Sequence, residues 1–168
     1  QMFVDKNISV LGFDISREAI MAAAKRNKKF DWAVATNKKI PVIGSGADGV
    51  FSLFGFPVWS EFERVVKKGG FVAVADTCKN HLIELRRCVY EHVIVKEADM
   101  HTTPSGFMLM KEVPVRYQLS EISFEIADAL LKMTPHYYRM TAEKYDSFRA
   151  NPPRAVTIDT ILRLYKRL

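Results

Sequence analysis

The chain has 168 residues, of which 48% are hydrophobic and 26% are charged, and its net charge at neutral pH is +6. This length predicts one domain with a sizeable core, and the hydrophobic content excludes a disordered chain. No apolar run approaches the roughly 20 residues that a membrane helix needs. The two cysteines, Cys78 and Cys88, are too few for a structural zinc site or a disulfide framework. We therefore expect a cytoplasmic protein without a membrane partner, and its charge fits a nucleic-acid partner without requiring one.

Residues 8–14 predict a buried strand that ends in an acid, Asp14, and turns directly into a helix over residues 17–26. Ser16 is a suitable N-cap for that helix. In a doubly wound α/β sheet, an acid at this strand end can accept hydrogen bonds from both hydroxyls of a nucleoside ribose. The alternative is that Asp14 only caps the helix.

Strands and helices alternate through the rest of the first half of the chain. Three further strands are predicted, at residues 30–36, 48–54 and 71–75. A helix over residues 59–68, stopped by Gly69 and Gly70, precedes the last of them. Strands separated by helices of this length imply right-handed crossovers and a parallel sheet.

The second half has a different pattern. We predict a helix from about residue 80 to 95, a looser stretch to residue 105, an extended segment at 108–119, helices at 124–133 and after the cap Thr141, and a final strand from residue 156.

The order strand–acid–helix, strand–polar loop, strand–Gly/Pro loop and helix–Gly-Gly–strand resembles that of class I S-adenosyl-L-methionine-dependent methyltransferases. The resemblance implies a Rossmann-like α/β fold, mostly parallel with an antiparallel final strand, and S-adenosyl-L-methionine as cofactor. Since ligands bind beyond the carboxyl ends of the strands, Asp14 would hold the ribose and Ile15 would lie against the adenine. Ala35, Thr36 and Asn37 would meet the adenine edge.

Several pieces look like a narrower family, the 23S rRNA guanine methyltransferases that modify ring nitrogen 1. They are Gly12-Phe13-Asp14-Ile15-Ser16, Arg64-Val65-Val66-Lys67 with Gly69-Gly70, His81-Leu82 with Glu84-Leu85, and Met133-Thr134-Pro135. The resemblance spans nearly the whole chain. It implies an rRNA hairpin as substrate, and hence roles in RNA binding and rRNA processing.

Two parts of that family's pattern are absent from this sequence: a cysteine/histidine zinc module and the glycine-rich first motif that wraps the methionine half of the cofactor. We therefore expect residues 1–168 to be the carboxyl-terminal part of a catalytic domain, truncated at the N-terminus and inactive alone. The strands ending at Asp14 and near Phe54 would pair with each other, exchange strands in a homodimer, or stay as exposed edges.

A guanine must leave its stack before transfer, and N1 must lose a proton. Phe54, Phe56, Pro57 and Trp59 are candidates for the walls that hold the base. Core packing is the stronger interpretation for Phe54 and Trp59, so Phe56 and Pro57 are the predicted contacts. The sequence does not identify the proton acceptor.

Other candidates have competing interpretations. His81 is predicted in the cofactor or substrate pocket, against a capping role, whereas Asp76 is expected to cap a helix. Residues 136–139, His-Tyr-Tyr-Arg, could stack on RNA or pack against the core, and the basic residues 25–29 are interpreted as a solvated helix end.

Three alternative functions stay open at this point: a class I methyltransferase with a small-molecule acceptor, a nicotinamide-dependent oxidoreductase, and a non-catalytic module that binds RNA or a partner. The oxidoreductase is disfavoured because the half after Ala75 shows no catalytic Tyr/Lys or His arrangement.

Overall fold

The computed structural model describes residues 8–93 and 102–168. β1 (Leu11–Asp14) leads into α1 (Arg17–Arg26), and β2 (Asp31–Val34) pairs with β1 in parallel. The predicted cap is confirmed, since the Ser16 hydroxyl accepts a hydrogen bond from the Ala19 backbone N–H at 3.1 Å. The strand–acid–helix unit therefore forms where local pattern and capping predict it.

A second parallel crossover is built from β3 (Ala47–Leu53), α2 (Trp59–Val65) and β4 (Val66–Thr77). The prediction that the helix would continue to residue 68 is wrong, because β4 begins directly after α2. Val66, the first residue of β4, pairs with Ala47 of β3, and regular pairing resumes at Phe71 opposite Gly49. Gly69, at a φ of +78°, therefore lies in an irregular part of the strand instead of ending a helix.

The second half contains α3 (Ile83–Val89), β5 (Phe107–Ser120), α4 (Phe124–Lys132), a 3₁₀ turn (Tyr137–Arg139), α5 (Ala142–Ala150) and β6 (Ala155–Arg167). The strand order of the larger sheet is β3-β4-β6-β5, and β6 runs antiparallel to both neighbours. The antiparallel final strand is thus confirmed. The helix predicted from residue 80 starts later, at Ile83, and ends at Val89. Part of the predicted loose stretch falls at residues 94–101, outside the described residues.

Two hydrophobic cores hold these elements together. The first lies between α2 and one face of the larger sheet and contains Ile40, Phe62, Val65, Val66, Val72, Val74, Phe107 and Tyr165. The second joins α3, α4 and α5 to the start of β6 and contains Leu82, Leu85, Val89, Ile122, Ala127, Leu131, Phe148 and Val156.

The other face of the larger sheet is apolar, and no other described element covers it. A shallow cavity of about 240 Å³ on this face is lined mainly by side chains of β3, β4 and β6. Phe51 is 56% exposed and Leu53 is 66% exposed. Within the described residues, β1 pairs only with β2, and β3 pairs only with β4. The first of the three predicted arrangements, direct pairing of β1 with β3, does not form among the described residues.

Candidate functional site

The residues predicted to bind cofactor and target lie at the carboxyl ends of β1, β2, β3 and β4. We call this region the carboxyl rim. Direct contacts link the four strand ends. The Ala35 N–H donates to the Asp14 carbonyl at 3.0 Å, and the Asn37 side-chain amide donates to the Phe56 carbonyl at 3.0 Å. The rings of Phe54 and His81 stack with centroids 5.8 Å apart.

Asp14 supports the start of α1 without being its N-cap: Ser16 is the N-cap, and the Asp14 Oδ1 accepts a hydrogen bond from the Ser16 N–H at 2.8 Å. The residue is nevertheless exposed, and the next side chain, Ile15, is 76% exposed. An exposed carboxylate beside an exposed apolar side chain fits the ribose and adenine of a nucleoside cofactor. The two roles of Asp14 are therefore compatible.

The side chains that follow β2 bind neighbouring protein groups. The Thr36 hydroxyl accepts a hydrogen bond from the Lys38 N–H at 3.3 Å. The Asn37 amide connects the loop after β2 to the loop after β3 through the Phe56 carbonyl. Asn37 thus joins the predicted cofactor side of the carboxyl rim to the predicted target side.

The loop after β3 presents aromatic side chains to solvent. Phe56 is 93% exposed, and Pro57 next to it is half-buried. Phe54 was predicted in the core, and this prediction is wrong because the residue is 61% exposed. Its φ of +55° turns the chain away from β3. Trp59 is no wall of a base pocket, because it packs edge-on against Phe62, Phe107 and Tyr165 with centroids 4.9–5.5 Å apart.

His81 reaches the carboxyl rim from the turn between β4 and α3. Its Nδ1 accepts a hydrogen bond from the Asp159 N–H at 3.3 Å, so this nitrogen carries no proton. Burial lowers the pKa of His81, as does Arg86, while Asp159 acts to raise it. The ring is therefore neutral near pH 7 and carries its hydrogen on Nε2.

The turn that carries His81 is anchored on β6 by contacts that the sequence did not reveal. The Leu82 N–H donates to the Thr157 carbonyl at 2.7 Å. The Glu84 carboxylate accepts from the Thr157 N–H at 2.8 Å and from its hydroxyl at 2.6 Å. The His-Leu-x-Glu-Leu motif was the sequence signal for this turn. It did not reveal the partners of the motif, because they lie on β6, more than 70 residues away along the chain.

The remaining candidate residues, Asp76 and residues 136–139, differ in their contacts and exposure. Asp76 does not cap a helix: it lies in β4 and forms an ion pair with Arg163 at 3.2 Å. In residues 136–139, His136 Nδ1 and the Tyr90 hydroxyl are hydrogen-bonded at 2.9 Å, and Tyr137 packs against the second core. Tyr138, 85% exposed, is the aromatic residue of that segment still available for stacking.

The strand order, the antiparallel last strand and the carboxyl rim define the fold of class I methyltransferases. Solved structures of that class confirm it. A "putative methyltransferase" from Bacillus halodurans C-125 superposes with a TM-score of 0.56 and 16% identity, over 95% of this chain and 83% of its own. A geranyl diphosphate methyltransferase in complex with SAM gives 0.53 and 12% identity, over 95% of this chain and 69% of its own.

The chain is also similar in sequence to a bacterial protein. The Bacillus subtilis (strain 168) protein named "Putative 23S rRNA (guanine-N(1)-)-methyltransferase YxjB" is 26% identical over 152 residues, which is 88% of this chain. The chain spans about half of that relative, 54% of its length. No family model matches the sequence. The chain is thus similar in sequence to a protein named as a methyltransferase, and it shares the fold of the two solved structures.

Within residues 8–93 and 102–168, no helix has the length and apolar character needed to span a bilayer.

Proposed function

We propose that this chain belongs to the catalytic domain of an S-adenosyl-L-methionine-dependent enzyme that methylates ring nitrogen 1 of a guanine in 23S rRNA. The observation that carries the proposal is the similarity over 152 residues to the Bacillus subtilis protein of that name. The exposed aromatic loop at the carboxyl rim supports it, because proteins hold an extruded base largely by stacking.

Each rim residue has a proposed part in this reaction. Asp14 would accept hydrogen bonds from the ribose hydroxyls, Ile15 would cover the adenine, and the backbone at Ala35 and Thr36 would meet the adenine edge. Phe56 and Pro57 would contact the target base. When bound, S-adenosyl-L-methionine would supply a methyl group on a positively charged sulfur, and its transfer to N1 would require that the N1 proton leave to an acceptor. The chain's own contribution is to orient the two reactants.

We also propose that these residues form the carboxyl-terminal part of a longer catalytic domain, with a first strand and a glycine-rich loop from outside this chain. β1 and β3 each pair on one side only among the described residues, and Phe51 and Leu53 lie exposed on β3. One further parallel strand would satisfy both edges. The intact mass of the purified protein tests this: we expect a value well above 19.2 kDa. A mass of 19.2 kDa in a dimer would instead favour strand exchange.

The function is tested by incubating the purified protein, with the upstream strand and glycine-rich loop proposed above, with 23S rRNA and methyl-labelled cofactor, then digesting the RNA to nucleosides for mass spectrometry. We expect 1-methylguanosine. Asp14→Asn keeps an oxygen that can cap Ser16 but removes the charge, so it should weaken S-adenosylhomocysteine binding in calorimetry without unfolding the protein. Asp146→Asn, at an exposed acid on α5, is the matched control.

The other outcomes separate the alternatives. Label in a small molecule and none in RNA would refute the rRNA assignment and keep the methyltransferase. RNA binding without transfer, even with an intact upstream segment, would indicate a non-catalytic module. Equal cofactor affinity in Asp14→Asn and the unsubstituted protein would refute the ribose role of Asp14.

A further inference from the structure

His81, predicted in the cofactor or substrate pocket, stacks its ring on the side chain of Phe54. The two rings are inclined by only 22°, with centroids 5.8 Å apart. Phe54 is the first residue after β3 and begins the loop that presents Phe56 and Pro57. His81 therefore contacts the base of the proposed target-binding loop.

Hydrogen bonds from β6 hold the His81 ring in place. Its Nδ1 accepts from the Asp159 N–H, and the Asp159 carboxylate in turn accepts from the Asn80 N–H at 3.0 Å. Asp159 is buried, with 9% exposure. Leu82 adds a backbone bond to the Thr157 carbonyl. The ring is thus fixed by a strand of the sheet, since bonds on both sides of His81 lead to β6.

On each side of this contact, one residue adopts a backbone conformation that residues other than glycine rarely take. Phe54 has a φ of +55° and Leu82, next to His81, has a φ of +49°. Such residues persist only where surrounding contacts over-determine them, and they concentrate at functional sites. Here the surroundings are the Phe54 N–H bond to the Ala75 carbonyl at 2.9 Å and the burial of the Leu82 side chain.

We propose that His81 is a positioning residue: its β6-anchored ring holds Phe54 and thereby preforms the Phe56-Pro57 loop for the target base. This inference rests on the proposed function, because it assigns the loop to RNA. It predicts that loss of the stack affects the RNA step and leaves cofactor affinity unchanged. A ring pair of this kind contributes enough free energy for a change of about three- to tenfold.

Two substitutions separate the roles of the ring and of Nδ1. His81→Asn keeps an acceptor near the position of Nδ1 but removes the ring, whereas His81→Phe keeps a ring and removes the acceptor. We expect His81→Asn and Phe54→Leu each to raise KM for 23S rRNA about three- to tenfold, with the S-adenosylhomocysteine Kd unchanged. The double variant should be no worse than either single variant. His92→Asn, at an exposed histidine, is the control.

NMR of the histidine ring protons provides a readout that does not need activity. The His81 signals, assigned by comparison with His81→Asn, should move in Phe54→Leu because the ring current is lost. Unmoved signals would overturn the inference. An unsubstituted protein that methylates rRNA with the same KM as His81→Asn would overturn the inference and leave the proposed function standing. Absence of methylation by the unsubstituted protein that carries the upstream segment would refute the proposed function, and the NMR shifts alone would then decide whether His81 positions Phe54.

Discussion

Removal of the Glu84 carboxylate should detach the turn that carries His81 from β6. Glu84 accepts two hydrogen bonds from Thr157, at 2.8 Å from the N–H and 2.6 Å from the hydroxyl. Although partial burial acts to raise it, the two Thr157 hydrogen bonds lower the pKa of Glu84 below 4.5. A hydrogen bond to a charged group is worth about 1.5–3 kcal/mol, and partial solvent access reduces that. We therefore expect Glu84→Ala to cost about 2–4 kcal/mol in the free energy of unfolding.

A double-mutant cycle in urea isolates this interaction. Thr157→Val removes only the hydroxyl bond and should cost about 1–2 kcal/mol in the wild-type background and much less in Glu84→Ala. Glu84→Gln keeps one acceptor oxygen and should cost about 1 kcal/mol. Glu91→Ala, at an exposed acid, should be neutral. A cost for Glu84→Ala no larger than that control, or additive effects of Glu84→Ala and Thr157→Val, would refute the reasoning.

Three further predictions concern the core, pH and the carboxyl rim. Leu131 is fully buried, so Leu131→Ala should lower the free energy of unfolding by about 2–5 kcal/mol in thermal or urea unfolding. Ile126→Ala, on the exposed face of the same helix, should lower it by less than about 1 kcal/mol. Equal effects would contradict the assignment of Leu131 to the second core. Burial, with Arg86 and Arg139, lowers the pKa of His136 below its usual 6.5. The unfolded chain therefore binds more protons, and the free energy of unfolding should fall as the pH drops below 6.5. His136→Gln should flatten that part of a plot of urea midpoint against pH, and an unchanged slope would contradict this prediction. Asn37→Ser should increase proteolytic cleavage of the loop after β3, because the hydrogen bond to the Phe56 carbonyl is lost. Equal cleavage of the variant and the unsubstituted protein would contradict the role of Asn37 in holding this loop.

Features governed by neighbouring residues were predictable from the sequence. The Ser16 and Thr141 caps form as expected, since each hydroxyl accepts from an N–H three residues ahead. The strand ending at Asp14 and the alternating final strand also follow local pattern. The same pattern placed the candidate site, because parallel strands bring their carboxyl ends to one edge.

The tertiary structure decided where long-range contacts override that pattern. Helical spacing extended α2 to residue 68, but the helix ends at Val65 and the next residue, Val66, pairs with Ala47 of β3. Asp76 was predicted to cap a helix, but in the structure it forms an ion pair with Arg163 of β6. The stack of His81 on Phe54 depends on the Asp159 N–H, far along the chain, which fixes the imidazole ring. Local propensity determined the elements of this protein, whereas partners distant in sequence determined what its polar and aromatic side chains contact.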